Sequence, residues 1–176
     1  MIMIPGYLIA LATFPGVIIH EAAHRFFCDI AKVPVYEVSY FRIGDPAGYV
    51  IHGPTKGLKD TFLISIGPII VNSLLCMILT LPVTYPMIIL GAQQVDPILY
   101  VIAWAGVSIG MHAFPSDQDM NIFQQEVKKA KKTLLYYLAL PFTLLVKLAN
   151  LLRVVWFDLF YAIALSWILP NILLSI

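Results

Sequence analysis

Long stretches without a single charge constrain this chain more than anything else in it. Met1 to Ile19, Thr61 to Val95 and Pro97 to Ser116 contain no Asp, Glu, Lys or Arg. A backbone that enters hydrocarbon must satisfy its own N–H and C=O groups, so such runs are expected to fold as helices. At ~1.5 Å per residue, Met1 to Ile19 alone spans about 28 Å, close to the hydrocarbon thickness of a bilayer. Of the 176 residues, 60% are hydrophobic and 12% charged, which is more apolar surface than a soluble domain of this size can hide. The expected fold class is an α-helical polytopic membrane protein, one membrane-embedded domain over residues 1–176. The lipid bilayer is its first partner, and no nucleic-acid partner is expected. Cys28 and Cys76 stand far apart without a C-x-x-C, which suggests neither a disulfide framework nor a thiol redox motif. No Lys or Arg precedes Glu21, so the N-terminus lacks the basic region of a cleavable signal peptide.

Taken in order, the chain predicts about five membrane-crossing helices. Helix 1 is expected from Ile2 to Ile30, with Pro15 bending it. Lys32 to Asp60 is different. Val35 to Ile43 is rich in β-branched and aromatic residues, Gly44-Asp45-Pro46-Ala47-Gly48 is turn chemistry, and Tyr49 to His52 returns as a second strand. This predicts a short β-hairpin or re-entrant loop at the membrane face. Helix 2 is expected from Thr61 to Leu81, stopped by Pro82, with a loop following through Pro86 and Gly91. Gly67, Ser65 and Ser73 are small enough to let another helix approach. Helix 3 is expected from Pro97 to Ser116, ended or bent at Pro115. Two further helices are expected, Thr133–Leu152 and Val154–Asn171; the first could instead lie in the interface.

Lys32, Arg42, Lys56 and Lys59 fall in the first loop, and Lys128, Lys129, Lys131 and Lys132 follow helix 3. The positive-inside rule then puts both loops in the cytoplasm and the N-terminus outside a cell membrane. The same alternation would place Lys147 and Arg153 on the opposite side.

His20-Glu21-Ala22-Ala23-His24 sits at the end of the first apolar run. On a helix the two histidines lie on one face, four residues apart, where two imidazoles can grip one zinc ion. Glu21 follows the first of them and can act as general base toward the attacking water. The bland alternative is a pair of hydrogen-bonded core histidines, with Glu21 paired to Arg25 four residues on. Membrane depth argues against it. A charged side chain at the centre of a spanning helix costs about 2.5–3.5 kcal/mol on insertion scales, so three ionisable groups together need a reason.

Zinc asks for a third protein ligand and an open position. Helix alternation brings the end of helix 3 to the same membrane face, and with it Asp117 and Asp119. Asp119 is preferred because it stands farther beyond Pro115, with Asp117 the alternative; one of the two is expected to cap a helix beginning near Met120. His112 and Cys28 are weaker candidates.

With these residues in view, the chain resembles the site-2 protease family of intramembrane zinc metalloproteases, and its small prokaryotic zincin-type members in particular. The resemblance covers about Gly16 to Asn121 and rests on three stretches. They are the HEAAH, the Gly67-Pro68-Ile69-Ile70-Val71-Asn72-Ser73 stretch after a β-rich loop, and Pro115-Ser116-Asp117-Gln118-Asp119-Met120. The resemblance implies one zinc ion per chain held by His20, His24 and Asp119, and Glu21 as the catalytic acid–base within a three-helix core over residues 1–121. It also implies a substrate contact at Asn72, although Asn72 stands one residue later than the family spacing from Gly67. The third stretch lacks the family's Leu and Gly. Tyr36, Val38 and Tyr40 are expected to meet the substrate as an edge strand.

The function these readings imply is hydrolysis of transmembrane protein substrates near the cytoplasmic face. The alternatives are a membrane metal-binding or transport protein that does not use Glu21 as a base, and a non-catalytic membrane adaptor that keeps the motif.

Overall fold

The computed structural model describes residues 5–130 and 133–175. The chain is mostly helical. Its elements are α1 (Gly6–Ala12), α2 (Phe14–Ile30), β1 (Val35–Ser39), β2 (Tyr49–His52), α3 (Leu58–Ile89), α4 (Pro97–Met111), α5 (Asp117–Lys129), α6 (Leu134–Leu152), a single 3₁₀ turn (Arg153–Val155) and α7 (Phe157–Leu174). Three helical segments among the described residues are long and apolar enough to cross a membrane: Leu58–Ile89, Leu134–Val155 and Phe157–Leu174. The architecture is that of a helical membrane protein with one small sheet.

The expected first helix is two helices. α1 and α2 meet at an angle of 90°, with Thr13 between them. Pro15 lies in the first turn of α2, where its missing N–H and fixed φ suit a helix start rather than a bend inside a continuous one. The predicted start at Ile2 lies outside the described residues. Thr13 stabilises the corner from both sides. Its hydroxyl donates to the Ile9 carbonyl at 2.7 Å and lies 2.8 Å from Nε2 of His112 at the end of α4.

The second helix is longer than expected. It runs from Leu58 through Pro82 and Pro86 to Ile89. Apolar surroundings leave the backbone no other way to satisfy its groups, so the helix carries its prolines rather than ending at them. Within it Thr80 donates to Cys76 O at 2.8 Å and Thr84 to Thr80 O at 3.1 Å. The third apolar helix is shorter than expected and stops at Met111. The helix expected to begin near Met120 starts three residues earlier, at Asp117, and forms α5. Its Met120, Phe123 and Val127 are buried at helical spacing, and Phe123 packs between Phe62 and Phe142.

Small residues set the helix spacing. A methyl group on Gly110 would lie 2.6 Å from Cys76 Sγ and 2.8 Å from the Ala162 methyl, so α3, α4 and α7 meet there. A methyl on Gly67 would enter the Phe27 ring of α2, and one on Gly16 would fall onto the Ser108 carbonyl of α4. Ser73 hydrogen-bonds Tyr161 of α7 at 2.7 Å.

α6 runs back alongside α5. Asn150 near its end donates to the Pro115 carbonyl at 3.1 Å and to Asp117 Oδ1 at 2.9 Å, and Arg153 donates to the Phe114 carbonyl at 3.3 Å. Arg153 therefore sits beside the end of α4, not at the opposite end of the bundle as strict alternation would have it. The reason is that α5 intervenes as an extra element before α6.

Two glycines make a sharp comparison. Gly16→Ala should lower stability by about 1–3 kcal/mol, because the added methyl meets backbone rather than a movable side chain. Gly6→Ala, where nothing lies within 4 Å, should be neutral or slightly stabilising. Unfolding midpoints in detergent compare them; equal midpoints would refute the tight α2–α4 contact.

Candidate metal centre

His20 and His24 project from one face of α2, and both are buried, at 8% and 5% exposure. His20 Nδ1 donates to the His112 carbonyl at 2.6 Å, and His24 Nδ1 donates to the Ile64 carbonyl at 3.2 Å. A carbonyl can only accept, so both Nδ1 atoms carry the proton and both Nε2 atoms are left with a lone pair. Those Nε2 atoms are 3.1 Å apart. Asp119 Oδ2 lies 3.4 Å from the Nε2 of His24 and 3.9 Å from that of His20.

Among the described residues these three form the group that could hold a metal ion, with ligand atoms all within 4.8 Å of one another. Two lone pairs and a carboxylate oxygen converging in a buried place repel one another unless a cation sits between them. The separations also fit one. A tetrahedral ion with bonds of about 2.0–2.1 Å has ligand–ligand edges of roughly 3.4 Å.

Asp119 comes from the first turn of α5. Ser116 caps that helix, and its hydroxyl accepts from the Asp119 N–H at 3.2 Å. In return Asp119 Oδ2 accepts from the Ser116 N–H at 2.8 Å and from the Ser116 hydroxyl at 2.7 Å. This reciprocal arrangement is a capping box.

Neither aspartate is the cap that was expected; Ser116 is. Asp117 points elsewhere and accepts from Asn150. The Ser-x-x-Asp spacing of Ser116 and Asp119 was a readable helix-start signal, and it also marks Ser116 as the residue that orients Asp119.

Glu21 is buried at 8% exposure and lines the same cavity as His20, His24 and Asp119, about 440 Å³ in volume. It does not pair with Arg25, which instead donates to Asp29 at 3.1 Å. Gly48 closes over it, since a methyl group there would lie 2.7 Å from Glu21 Cγ. The hairpin that delivers Gly48 is antiparallel, with Val38 opposite Val50 and Ser39 opposite Tyr49. β1 ends at Ser39 rather than Ile43. Beyond it the Arg42 N–H bonds the Ala47 carbonyl at 2.7 Å, its Nε bonds the Pro46 carbonyl at 2.8 Å, and its guanidinium stacks 5.0 Å from the centre of the Tyr49 ring. These contacts turn 40–48 into a loop that folds back over α2.

The remaining candidates fall in different places. Tyr36, Val38 and Tyr40 do not line the cavity; the turn from Gly44 to Gly48 and Tyr49, Val50 and His52 of β2 do. Asn72 does not line it either. It is fully buried behind the site and donates to the Ile109 carbonyl at 3.1 Å and to the His112 carbonyl at 3.0 Å. His112 serves through that carbonyl, while its ring is engaged by Thr13. Cys28 is packed with Val33 and Ile64 in an apolar cluster.

Compared with models of known protein families, with curated proteins and with solved structures, the chain matches none.

Asn72→Ala strips a donor from two carbonyls at the end of α4, the buried one of Ile109 and the partly buried one of His112. It should cost about 1–3 kcal/mol of stability. Chemical unfolding in detergent measures it, and a loss under about 0.5 kcal/mol would show that the donors these carbonyls keep, His20 Nδ1 and the His112 N–H, suffice.

Proposed function

We propose that this protein is a membrane-embedded zinc endopeptidase that cleaves transmembrane segments of other proteins, and that its site resembles that of the site-2 protease family. The observation that carries this reading is the convergence of His20 Nε2, His24 Nε2 and Asp119 Oδ2 on one point, with the buried carboxylate of Glu21 on the same cavity. A proton can bridge two donor atoms; three converging donors favour an ion that takes more. Imidazole nitrogen with a single carboxylate suits zinc among the common divalent ions.

His20, His24 and Asp119 would hold the ion, one per chain. When bound, zinc supplies Lewis-acid chemistry, polarising a carbonyl and making water acidic enough to ionise near neutral pH. The protein's own part is proton transfer. Glu21 accepts a proton from the attacking water at its carboxylate and delivers it to the departing amine as the peptide bond breaks. Burial under Gly48 keeps the carboxylate out of bulk water.

A substrate helix must unwind before its peptide bonds are accessible. β2 lines the cavity and pairs with β1 alone, so its second edge has no strand partner among the described residues. An unwound segment can add to that edge, which moves the proposed strand contact from Tyr36, Val38 and Tyr40 to β2. The bent α1–α2 pair, α3, α4 and α7 would make four membrane segments, with α6, whose end returns to the end of α4, lying along the membrane face. The site would then face the cytoplasm, the side to which Lys32, Arg42, Lys56 and Lys59 point by the positive-inside rule.

Glu21→Gln should keep its zinc and lose cleavage of a model transmembrane substrate by about 10²–10⁴-fold, as expected for removing a general base. Zinc bound and turnover unchanged would instead favour metal binding without hydrolysis.

Elemental analysis separates the aspartates. Asp119→Ala should lose zinc, as should His20→Ala and His24→Ala. Asp117→Ala should keep it and lose only the Asn150 contact, costing about 0.5–1.5 kcal/mol. Zinc retained in Asp119→Ala would sink the assignment.

A further inference from the structure

Pro68 lies inside α3 and is fully buried. In an α-helix the N–H of residue 68 would bond the carbonyl of residue 64. Proline has no N–H, and its ring crowds that same carbonyl and tilts it off the helix axis. The Ile64 carbonyl is thus left without its helical partner at a residue only 4% exposed, beside the cavity of the site. The group that reaches it is His24 Nδ1, at 3.2 Å.

We infer that Pro68 is a positioning residue for the metal centre: by withholding its own N–H it leaves the Ile64 carbonyl to His24, and so presents His24 Nε2 to the ion. The inference rests on the proposed zinc site and concerns what tunes it. A histidine in the other tautomer would turn an N–H toward His20 and Asp119 and could not bind metal through Nε2. Ligating histidines depend strongly on the acceptor behind them, and loss of such a partner typically weakens metal binding ten- to a hundredfold. His20 uses the same device in another form. Its acceptor is the carbonyl of His112, the residue that ends α4, where no following helical N–H is in register to take it.

The same helix supplies its own control. Pro82 also frees a carbonyl, that of Ile78, but Ile78 is 56% exposed and does not line the cavity. Any effect of proline on helix stability in general should appear at both positions; an effect on the metal should appear only at 68.

The test is Zn²⁺ affinity, measured by competition with a chelator on the full chain in detergent. Pro68→Ala should bind Zn²⁺ ten- to a hundredfold more weakly than wild type, while Pro82→Ala binds it normally. The α-hydroxy analogue of alanine incorporated at position 68 has the small side chain but an ester oxygen in place of the N–H. It should return the affinity to near the wild-type value. Pro68→Ser carries the same N–H with a different side chain and the same expectation, should Pro68→Ala fold poorly. Wild-type affinity in both Pro68→Ala and Pro68→Ser would overturn the inference. So would weak binding that the α-hydroxy analogue does not rescue, because ring shape and not the missing donor would then be at work. Wild-type protein that binds no Zn²⁺ would overturn the metal reading itself, a result distinct from either.

Discussion

A backbone carbonyl set free inside an apolar bundle must find a donor, and much of this molecule follows from where such carbonyls are. Pro68 frees one at Ile64, and the end of α4 leaves another at His112 and one at Ile109 that keeps only a 3.1 Å bond from the His112 N–H. The donors that come to them are His24, Asn72 and His20. Each bond fixes more than a distance. It orients an imidazole, sets its tautomer and ties α2 to α3 or α4. Helices that bury no water-excluded core in the soluble sense still need specific reasons to associate, and buried polar contacts of this kind, together with close small-residue packing, are the reasons membranes allow.

The same constraint explains why the hairpin matters although it is small. A buried carboxylate is tolerable only if its surroundings are arranged for it. Glu21 receives no hydrogen bond from the described residues. What it has is a cavity on one side and the Gly48 backbone on the other. A side chain at 48 would displace it, so the turn must approach with glycine. Arg42 makes that approach rigid by bonding the loop carbonyl of Pro46 and stacking on Tyr49, whose hydroxyl in turn donates to Glu37 across the strands.

The sequence was most legible where chemistry and periodicity coincide. His20 and His24 at helical spacing beside Glu21, the hairpin signal around Gly44 to Gly48, and the long uncharged runs all describe local features, and local features are what spacing reports. Asp119 was reachable too, through alternation of helices and its distance from Pro115. Helix ends were not. Pro82 and Pro86 read as breakers by soluble-protein rules, yet in apolar surroundings an interrupted helix costs more than a kinked one. The corner at Thr13 was hidden for the opposite reason: no local residue demands a 90° turn there, and its stabilising partner, His112, is far along the chain. Asn72 was read as facing a substrate because of the motif around it. Its actual partners are carbonyls of another helix, which spacing within one helix cannot reveal.

Asp119 shows how tightly folding and the candidate chemistry are joined. Its Oδ2 accepts both the N–H and the hydroxyl of Ser116 and is also the atom nearest the two histidines. The cap that starts α5 is therefore the same group that completes the three-donor cluster. α5 packs Met120 and Phe123 against α3, and α6 packs against α5. A cation held by His20, His24 and Asp119 would pull on the first turn of α5, and through it on the apolar cluster that docks the C-terminal helices. Conversely, any substitution that loosens this cluster would let Asp119 drift from the histidines with no change to a ligand. On the proposed reading, the C-terminal helices thus take part in the site through the single oxygen that their helical cap holds in place.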